Sequence, residues 1–345
     1  MPVLFCFGVI LPVKVKDIQC TTPVKSRCFV VGGRTRMYRS GGCDGVSIPT
    51  HNSVLQRNFV FQAIMRPKHW RFIGVDLKKV ELSVYRPYLP VVLGIATTLE
   101  DALTVLRFAQ QTMMQRYSLM EDEQVNNYKD LPEPDEGSYQ RLMVMVDEAA
   151  ELLSPSGVKT DEGKADDLLK GEALTLIGSI ARLGRAAGVH LVLAMQRPDA
   201  KIISGEIRSN FMCRIAAGRL TAAASGMTLE SGEGTLIPAH IKGRGKAYLN
   251  GSIVDFQGFY AAPEYIDEWR AANPVLAGLE EELIDIETED GQTTVYTDEL
   301  DENGNRRTLT FGQKADEDAD DTVMSTWGED MEVISEHGSR GRTMI

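Results

Sequence analysis

The run of residues 142–148, Leu-Met-Val-Met-Val-Asp-Glu, constrains the fold of this chain more than any other stretch. Five uninterrupted apolar residues followed by two acids match a short strand that is buried on both faces. Strands of this kind occur in parallel sheets, whose ligands bind at the carboxyl ends of the strands. The sequence therefore predicts that Asp147 and Glu148 lie at a ligand-binding edge.

Other segments alternate between the spacing of a strand and that of a helix. A second apolar run, residues 190–195, ends in Gln196. Helical spacing of apolar residues covers residues 99–120 and 171–187, and a polar loop is expected over residues 154–167. This alternation predicts an α/β fold with a doubly wound, mainly parallel sheet.

Asp147 and Glu148 have the chemistry of a Walker B pair. Asp147 would hold Mg²⁺ through water, and Glu148 would orient and deprotonate the water that attacks a phosphate. Gln196, at the end of the next strand, would sense the γ-phosphate of ATP. Taken alone, each of these residues is an ordinary polar group at a strand end, so it is their arrangement that favours nucleotide hydrolysis.

The segment around Ser53 predicts the end of a P-loop without its beginning. Ser53 opens a helical run, residues 53–65, and an apolar strand ending in Asp76 follows. The usual glycines and lysine before this serine are absent, and Ile-Pro-Thr-His-Asn stands in their place. Because the missing lysine contacts the β- and γ-phosphates, we expect this chain to bind ATP weakly and to hydrolyse it poorly. In a completed loop, the Ser53 hydroxyl would be a Mg²⁺ ligand.

Residues 13–52 have a different character. Alternating apolar residues and glycine-rich turns predict a small all-β domain. The pattern of residues 23–31, then Met37-Tyr38, then residues 48–52 resembles the C-terminal portion of an intein, and this likeness is specific at the terminal His-Asn pair. The chain would therefore begin with a C-terminal intein fragment over residues 1–52.

The intein resemblance implies roles in protein splicing. Ser53 would supply the hydroxyl nucleophile, Asn52 would cyclise and cut its own peptide bond, and His51 would polarise that carbonyl. The N-terminal half of an intein is absent, and Arg36 stands where many inteins have histidine. A separate chain would then supply the other intein half and the start of the P-loop. Two alternatives are a gene that starts further upstream and a coincidental His-Asn-Ser sequence.

Residues 53 to about 236 resemble the motor domain of the FtsK/SpoIIIE family of DNA translocases. The blocks that carry the resemblance are residues 74–82, 85–90, 116–120, 146–148, 185–190, 196–198 and 203–210. Met195 departs from the family, which usually has threonine there. The resemblance implies a RecA-like fold, a hexameric ring of identical subunits with ATP between them, and double-stranded DNA passing through the ring. It also implies an arginine finger from the neighbouring subunit, for which Arg214 and Arg219 are candidates; either could instead be a surface charge.

The charge is unevenly distributed along the chain. The formal net charge is −12, but residues 280–345 contain 20 acidic and 5 basic residues, so the preceding residues carry a charge of about +3. A mildly basic body is compatible with a nucleic-acid partner. The last 66 residues are acidic, poor in large apolar residues and without a sustained period, which predicts a disordered tail. The alternative within this tail is a hairpin strand over a short piece such as residues 293–297. The motor domain would thus cover residues 53–279.

Three basic residues give moderate support for DNA binding. Lys242, Arg244 and Lys246 alternate with glycines, and such a loop can follow a phosphate backbone without reading bases. A solvated turn between two strands would have the same sequence.

Cysteine usage and the apolar start of the chain bear on its compartment. The five cysteines have no paired Cys-x-x-Cys spacing, which favours a reducing cytosol. Residues 1–13 are too short to span a bilayer, and they lack a basic segment before the apolar run, so a strand is expected there. These features predict a cytoplasmic protein with no membrane segment.

The sequence thus favours an ATP-driven motor on double-stranded DNA, using ATP and Mg²⁺ once its P-loop has been completed at Ser53. Another hypothesis is a subunit that lacks the lysine, does not hydrolyse ATP and binds DNA or a partner ring. A third is a related ATPase of conjugation or protein secretion.

Overall fold

The computed structural model describes residues 3–6, 52–88, 91–132, 140–196, 198–199, 202–249, 251–258, 260, 262, 264–274, 285–289, 292–300 and 305–312. The chain divides into two compact units. The first unit comprises residues 1–65 and 194–274, and the second comprises residues 66–193 and 275–345.

The strands are β1 Val3–Cys6, β2 Trp70–Val75, β3 Val92–Ala96, β4 Arg141–Val146, β5 Val189–Met195, β6 Cys213–Ala216, β7 Arg244–Leu249, β8 Ser252–Gln257, β9 Asp285–Glu289, β10 Gln292–Leu300 and β11 Arg306–Phe311. The helices are α1 Asn52–Ile64, α2 Leu99–Asp122, α3 Ala149–Leu153, α4 Asp161–Ala187, α5 Gly205–Ser209, α6 Ala222–Leu229 and α7 Glu264–Ala272.

The second unit contains a parallel sheet in the order β3-β2-β4-β5. Every residue of β2 and β5 is buried, as are all residues of β4 except Arg141. Uninterrupted apolar runs suit this environment because neither face of the strand meets water. The prediction of a mixed α/β fold with a parallel sheet is therefore confirmed.

The two long helices of the second unit, α2 and α4, pack against each other. Each begins at a threonine whose side chain caps the first turn: Thr98 accepts from the Asp101 amide at 3.1 Å, and Thr160 accepts from the Gly163 amide at 3.2 Å. Helix α4 begins at Asp161, so the prediction of a polar loop over residues 154–167 is wrong for its last seven residues. The cap and the acidic first turn start the helix before its apolar stripe begins.

Strands β9, β10 and β11 form an antiparallel sheet that belongs to the second unit. We call residues 285–312 the C-terminal meander. The prediction of a disordered tail is wrong for these strands, in which the cross-strand partners Val295 and Leu309 are buried. The hairpin strand considered for residues 293–297 lies within β10. Residues 313–345 lie outside the described part of the chain.

In the first unit, β1, β6, β7 and β8 are antiparallel neighbours. Helix α1 agrees with the helix predicted from residue 53. The strand expected in residues 1–13 is present as β1, which pairs with β6. The rest of the predicted all-β intein fragment, including Arg36 and His51, lies outside the described residues. None of the helices in the described ranges has the length and hydropathy needed to cross a membrane.

Candidate nucleotide site

Asp76 organises the loop that follows β2. Its buried carboxylate accepts hydrogen bonds from four backbone amides at 2.9 to 3.2 Å and from the Ser83 hydroxyl at 3.1 Å. The four amides belong to Val80, Glu81, Leu82 and Ser83. A carboxylate that accepts several backbone N–H bonds fixes the path of the loop around it. The loop over residues 77–83 is therefore anchored at the carboxyl end of β2.

Asp147 and Glu148 lie where β4 ends, as predicted. The Asp147 amide donates to the Val75 carbonyl at 3.1 Å, which ties the ends of β2 and β4 together. Asp147 is 7% exposed and Glu148 is 8% exposed. Glu148 stands at the N-cap of α3, so the chain turns from strand to helix directly at this pair.

A pocket opens between the ends of β2 and β4. Its lining residues are Val75, Leu77, Lys78, Val146, Asp147, Glu148 and Glu151. The Lys78 Nζ atom lies 3.7 Å from Glu148 Oε2 and 3.3 Å from Glu151 Oε1. The site therefore combines three carboxylates with one ammonium group.

The carboxylates of this pocket suit Mg²⁺ that is shared with a nucleotide. The described residues contain no group of three or more His, Cys, Asp or Glu side chains that could hold a metal by themselves. Mg²⁺ does not need such a group, because it commonly binds one or two carboxylates and completes its octahedron with waters and substrate phosphates. Asp147 and Glu148 supply carboxylates of this kind at the end of β4.

The remaining predicted nucleotide ligands belong to the first unit. Ser53 is the second residue of α1, and its side chain, like that of Asn52, lies outside the described part of the chain. Gln196 follows β5 directly and is exposed. These placements agree with an N-terminal helix position for Ser53 and a strand-end position for Gln196.

Arg214 is placed differently from the expectation of an arginine finger. Its side chain is 3% exposed, donates to Glu230 Oε1 at 2.9 Å and lies over the Tyr248 ring at 4.1 Å. A finger must reach a nucleotide in another subunit, whereas this guanidinium is buried among residues of its own unit. This burial and these contacts favour a structural role for Arg214 in β6 over the role of a finger. The other candidate, Arg219, is exposed, and its Nε donates to the Ile237 carbonyl at 3.0 Å.

The predicted basic loop is partly a strand. Arg244 and Lys246 belong to β7, and Lys242 precedes it beside Gly243, whose φ of 75° makes the turn. Lys246 Nζ lies 2.7 Å from Glu233 Oε2 and 3.1 Å from Asp255 Oδ1. The hydrogen bond to Glu233 raises the pKa of Lys246, and Asp255 raises it further. These ion pairs favour a structural role for Lys246.

Sequence reasoning missed two parts of the site, namely the carboxylate anchor at Asp76 and the ammonium of Lys78. An aspartate directly after a buried strand, followed by a short polar loop, could have indicated the anchor. The pairing of Lys78 with Glu148 spans 70 residues and left no local signal.

Comparison with known proteins supports the family resemblance. Residues 52–139 match the family model described as FtsK/SpoIIIE family. The chain is 32% identical over 151 residues to DNA translocase FtsK of Caldanaerobacter subterraneus. This match covers 44% of this chain and 20% of that protein. It is 27% identical over 242 residues to FtsK of Haemophilus influenzae, covering 60% of this chain and 42% of that protein. The chain thus spans between a fifth and about two fifths of these relatives.

Two solved structures share the fold. The conjugation coupling protein TcpA of pCW3, in its monomer form with ATPγS, superposes with a TM-score of 0.56 at 27% identity, covering 66% of this chain and 61% of that one. The type VII secretion ATPase EccC of Thermomonospora curvata gives a TM-score of 0.50 at 23% identity, covering 62% of this chain and 25% of that one, and this likeness concerns the fold alone. The chain therefore resembles the FtsK/SpoIIIE family over residues 52–139 and shares with TcpA a mixed α/β fold that contains a parallel sheet.

Proposed function

We propose that this chain forms part of an ATP-driven motor that moves double-stranded DNA. The observation that carries the proposal is the pair of buried carboxylates, Asp147 and Glu148, at the carboxyl end of β4 beside a small pocket. Asp147 would bind Mg²⁺ through water, and Glu148 would orient and deprotonate the attacking water. The metal, when bound, neutralises charge on the transferring phosphate.

The phosphate-binding loop would be completed at Ser53. Splicing in trans would join an upstream Gly-rich segment and lysine to Ser53 and release residues 1–52, with His51 and Asn52 acting as described above. Support comes from the sequence before Ser53 and from the position of Ser53 in the first turn of α1, where a P-loop serine would sit. The same hydroxyl would first act as the nucleophile and then bind Mg²⁺.

Other parts of the motor would come from its assembly into a ring of identical subunits, proposed here as a hexamer. Gln196 would sense the γ-phosphate. Arg219 becomes the proposed arginine finger, because it is exposed whereas Arg214 is buried. For contact with the DNA backbone, we retain Lys242 and Arg244; Lys246 would first have to leave Glu233 and Asp255.

The test begins with the intact mass of the protein co-expressed with its upstream gene. We expect a product in which a new peptide bond joins the upstream segment to Ser53 and from which residues 1–52 are missing. ATP hydrolysis by that product should rise when double-stranded DNA is added. Glu148→Gln should lower kcat by about 10²- to 10⁴-fold while ATP still binds, because it removes the base without changing its shape.

Two outcomes would contradict separate parts of the proposal. A mass that stays at the full 345 residues would exclude splicing. If the joined product hydrolysed ATP at the same rate with and without double-stranded DNA, the proposal of a DNA motor would be excluded.

A coupling or secretion ATPase is the second candidate, and the likeness to TcpA favours it. Such a protein would hydrolyse ATP in response to a protein substrate or a conjugation partner more than in response to DNA alone. The third candidate, a subunit that binds without hydrolysis, is favoured by the missing lysine before Ser53. It predicts DNA binding by the unspliced chain with no ATP turnover.

A further inference from the structure

Lys78 brings a positive charge to the nucleotide pocket. Of the described residues that line this pocket, Lys78 alone is a cation. Its ammonium is shared between Glu148, at 3.7 Å, and Glu151, at 3.3 Å. A lysine therefore contacts the carboxylate to which the proposed function gives the role of base.

The backbone on both sides of Lys78 is fixed. Asp76 anchors the following residues through its carboxylate, and its carbonyl accepts from the Lys79 amide at 3.0 Å. Lys79 itself turns the chain with a φ of 59°. The position of the Lys78 backbone is therefore set by the fold, and only its side chain is left to move.

The two partners of Lys78 differ in their surroundings. The Glu148 side chain is 7% exposed, whereas that of Glu151 is 54% exposed. A nearby opposite charge matters more to the buried carboxylate, because water screens it less. Glu151 offers the ammonium a second position within the same pocket, so Lys78 can leave Glu148 without leaving its ion pair.

We propose that Lys78 is a positioning residue that holds Glu148 in a resting orientation and releases it to the reaction when a metal–nucleotide complex enters. This inference rests on the proposed function of the site. While Lys78 pairs with Glu148, the carboxylate is turned toward an ammonium rather than toward an attacking water. With a divalent cation held at the adjacent Asp147, the Lys78 ammonium would be repelled from Glu148 and would keep its pairing with the more exposed Glu151.

The test uses the full 345-residue chain and Mn²⁺ alone as the probe, with free Mn²⁺ measured by electron paramagnetic resonance. The titration extends to millimolar Mn²⁺, because one or two carboxylates without nucleotide phosphates bind the ion weakly. Lys78→Met should bind Mn²⁺ roughly three- to tenfold more tightly than the wild type, because a competing cation has been removed. Lys78→Arg keeps the charge and should restore the weaker binding. Lys79→Met is the matched control, since it removes the same charge one residue away from the pocket lining, and it should bind Mn²⁺ as the wild type does.

Adding Asp147→Asn to Lys78→Met locates the binding site, because the tighter binding should disappear if Mn²⁺ occupies this pocket. Equal affinity in Lys78→Met and the wild type would overturn the proposal, as would an equal gain in Lys79→Met. If no variant bound Mn²⁺, the metal role of Asp147 would fail, and the role of Lys78 with it. Because Mn²⁺ binding is measured without ATP hydrolysis, a failure of the motor proposal can be distinguished from a failure of the proposed role of Lys78.

Discussion

The ring of Phe311 fills the space that a Cβ atom would need at Gly94. Phe311 is the last residue of β11, and Gly94 lies in the middle of β3. Next to this contact, the Gly312 amide donates to Asp101 Oδ1 at 2.9 Å, in the first turn of α2. The C-terminal meander is thus held against the parallel sheet of its own unit by an aromatic contact and a charge-assisted hydrogen bond.

Gly94→Val should undock the meander. A valine side chain would collide with the Phe311 ring, and overpacking of this kind costs about 1–3 kcal/mol. Urea unfolding of the full chain should show the loss, and limited proteolysis should cut faster between residues 275 and 312. Gly171→Ala is the control, because a Cβ at Gly171 meets nothing within 4 Å.

A double variant tests whether the collision itself is the cause. Phe311→Ala on top of Gly94→Val should destabilise less than the sum of the two single changes, because the valine then has room. Strict additivity would argue that Gly94 is required for its backbone and not for the docking of Phe311.

Asp76→Asn should destabilise the second unit. The change replaces one carboxylate oxygen by an NH₂ group that faces backbone donors, so some of the bonds at 2.9 to 3.2 Å are lost. We expect a loss of about 2 kcal/mol in the free energy of unfolding. Asp161→Asn removes the same charge from an exposed side chain and should stay within about 0.5 kcal/mol of the wild type.

We expect substitution of Arg214 to lower stability and substitution of Arg219 to lower ATPase activity. Arg214→Ala leaves Glu230 and Tyr248 without their partner and should lower the free energy of unfolding by about 2–4 kcal/mol. Arg219→Ala should leave the urea midpoint almost unchanged but lower the ATPase rate of the joined motor by about 10³-fold or more, as expected for an arginine finger. Full activity in Arg219→Ala would remove Arg219 from the proposed mechanism.

The ion pairs of Lys246 predict that the free energy of unfolding depends on pH in the alkaline range. Its folded pKa is raised above the ordinary value of 10.5, chiefly by the hydrogen bond to Glu233. A raised folded pKa means that the stabilising effect is complete below pH 10.5 and is lost as the pH rises through the folded value. The difference in stability between the wild type and Lys246→Met should therefore be constant from pH 7 to 9 and shrink above about pH 10.5. A difference that persisted unchanged at higher pH would mean that packing of the lysine stem, and not its charge, is responsible.

The parallel sheet and the acidic pair could be predicted because their signals are local. Strand β4 is an uninterrupted apolar run whose carboxyl end is marked by Asp147 and Glu148, and β5 repeats the pattern. Helix α2 was predicted to within two residues, because it has a threonine cap, two acids in its first turn and an apolar stripe.

The features that escaped prediction depend on long-range contacts. The sequence leaves Arg214 as an arginine finger or a surface charge, and only the tertiary fold buries it against the Tyr248 ring. The C-terminal meander is acidic overall, so its alternation of apolar and polar residues is not evident from its composition. This alternation is favourable only when β11 packs on β3. The pairing of Lys78 with Glu148 likewise exists only because β2 and β4 are neighbours.

The docked meander also changes where a shorter version of this protein could sensibly end. Charge alone suggests a cut after residue 279, since everything beyond it is strongly acidic. Such a cut would strip Phe311 from β3 and open an apolar groove above Gly94, and a bared groove of this kind promotes self-association during expression. A truncation after residue 312 would keep the groove filled, so we expect it to yield more soluble protein than the shorter cut.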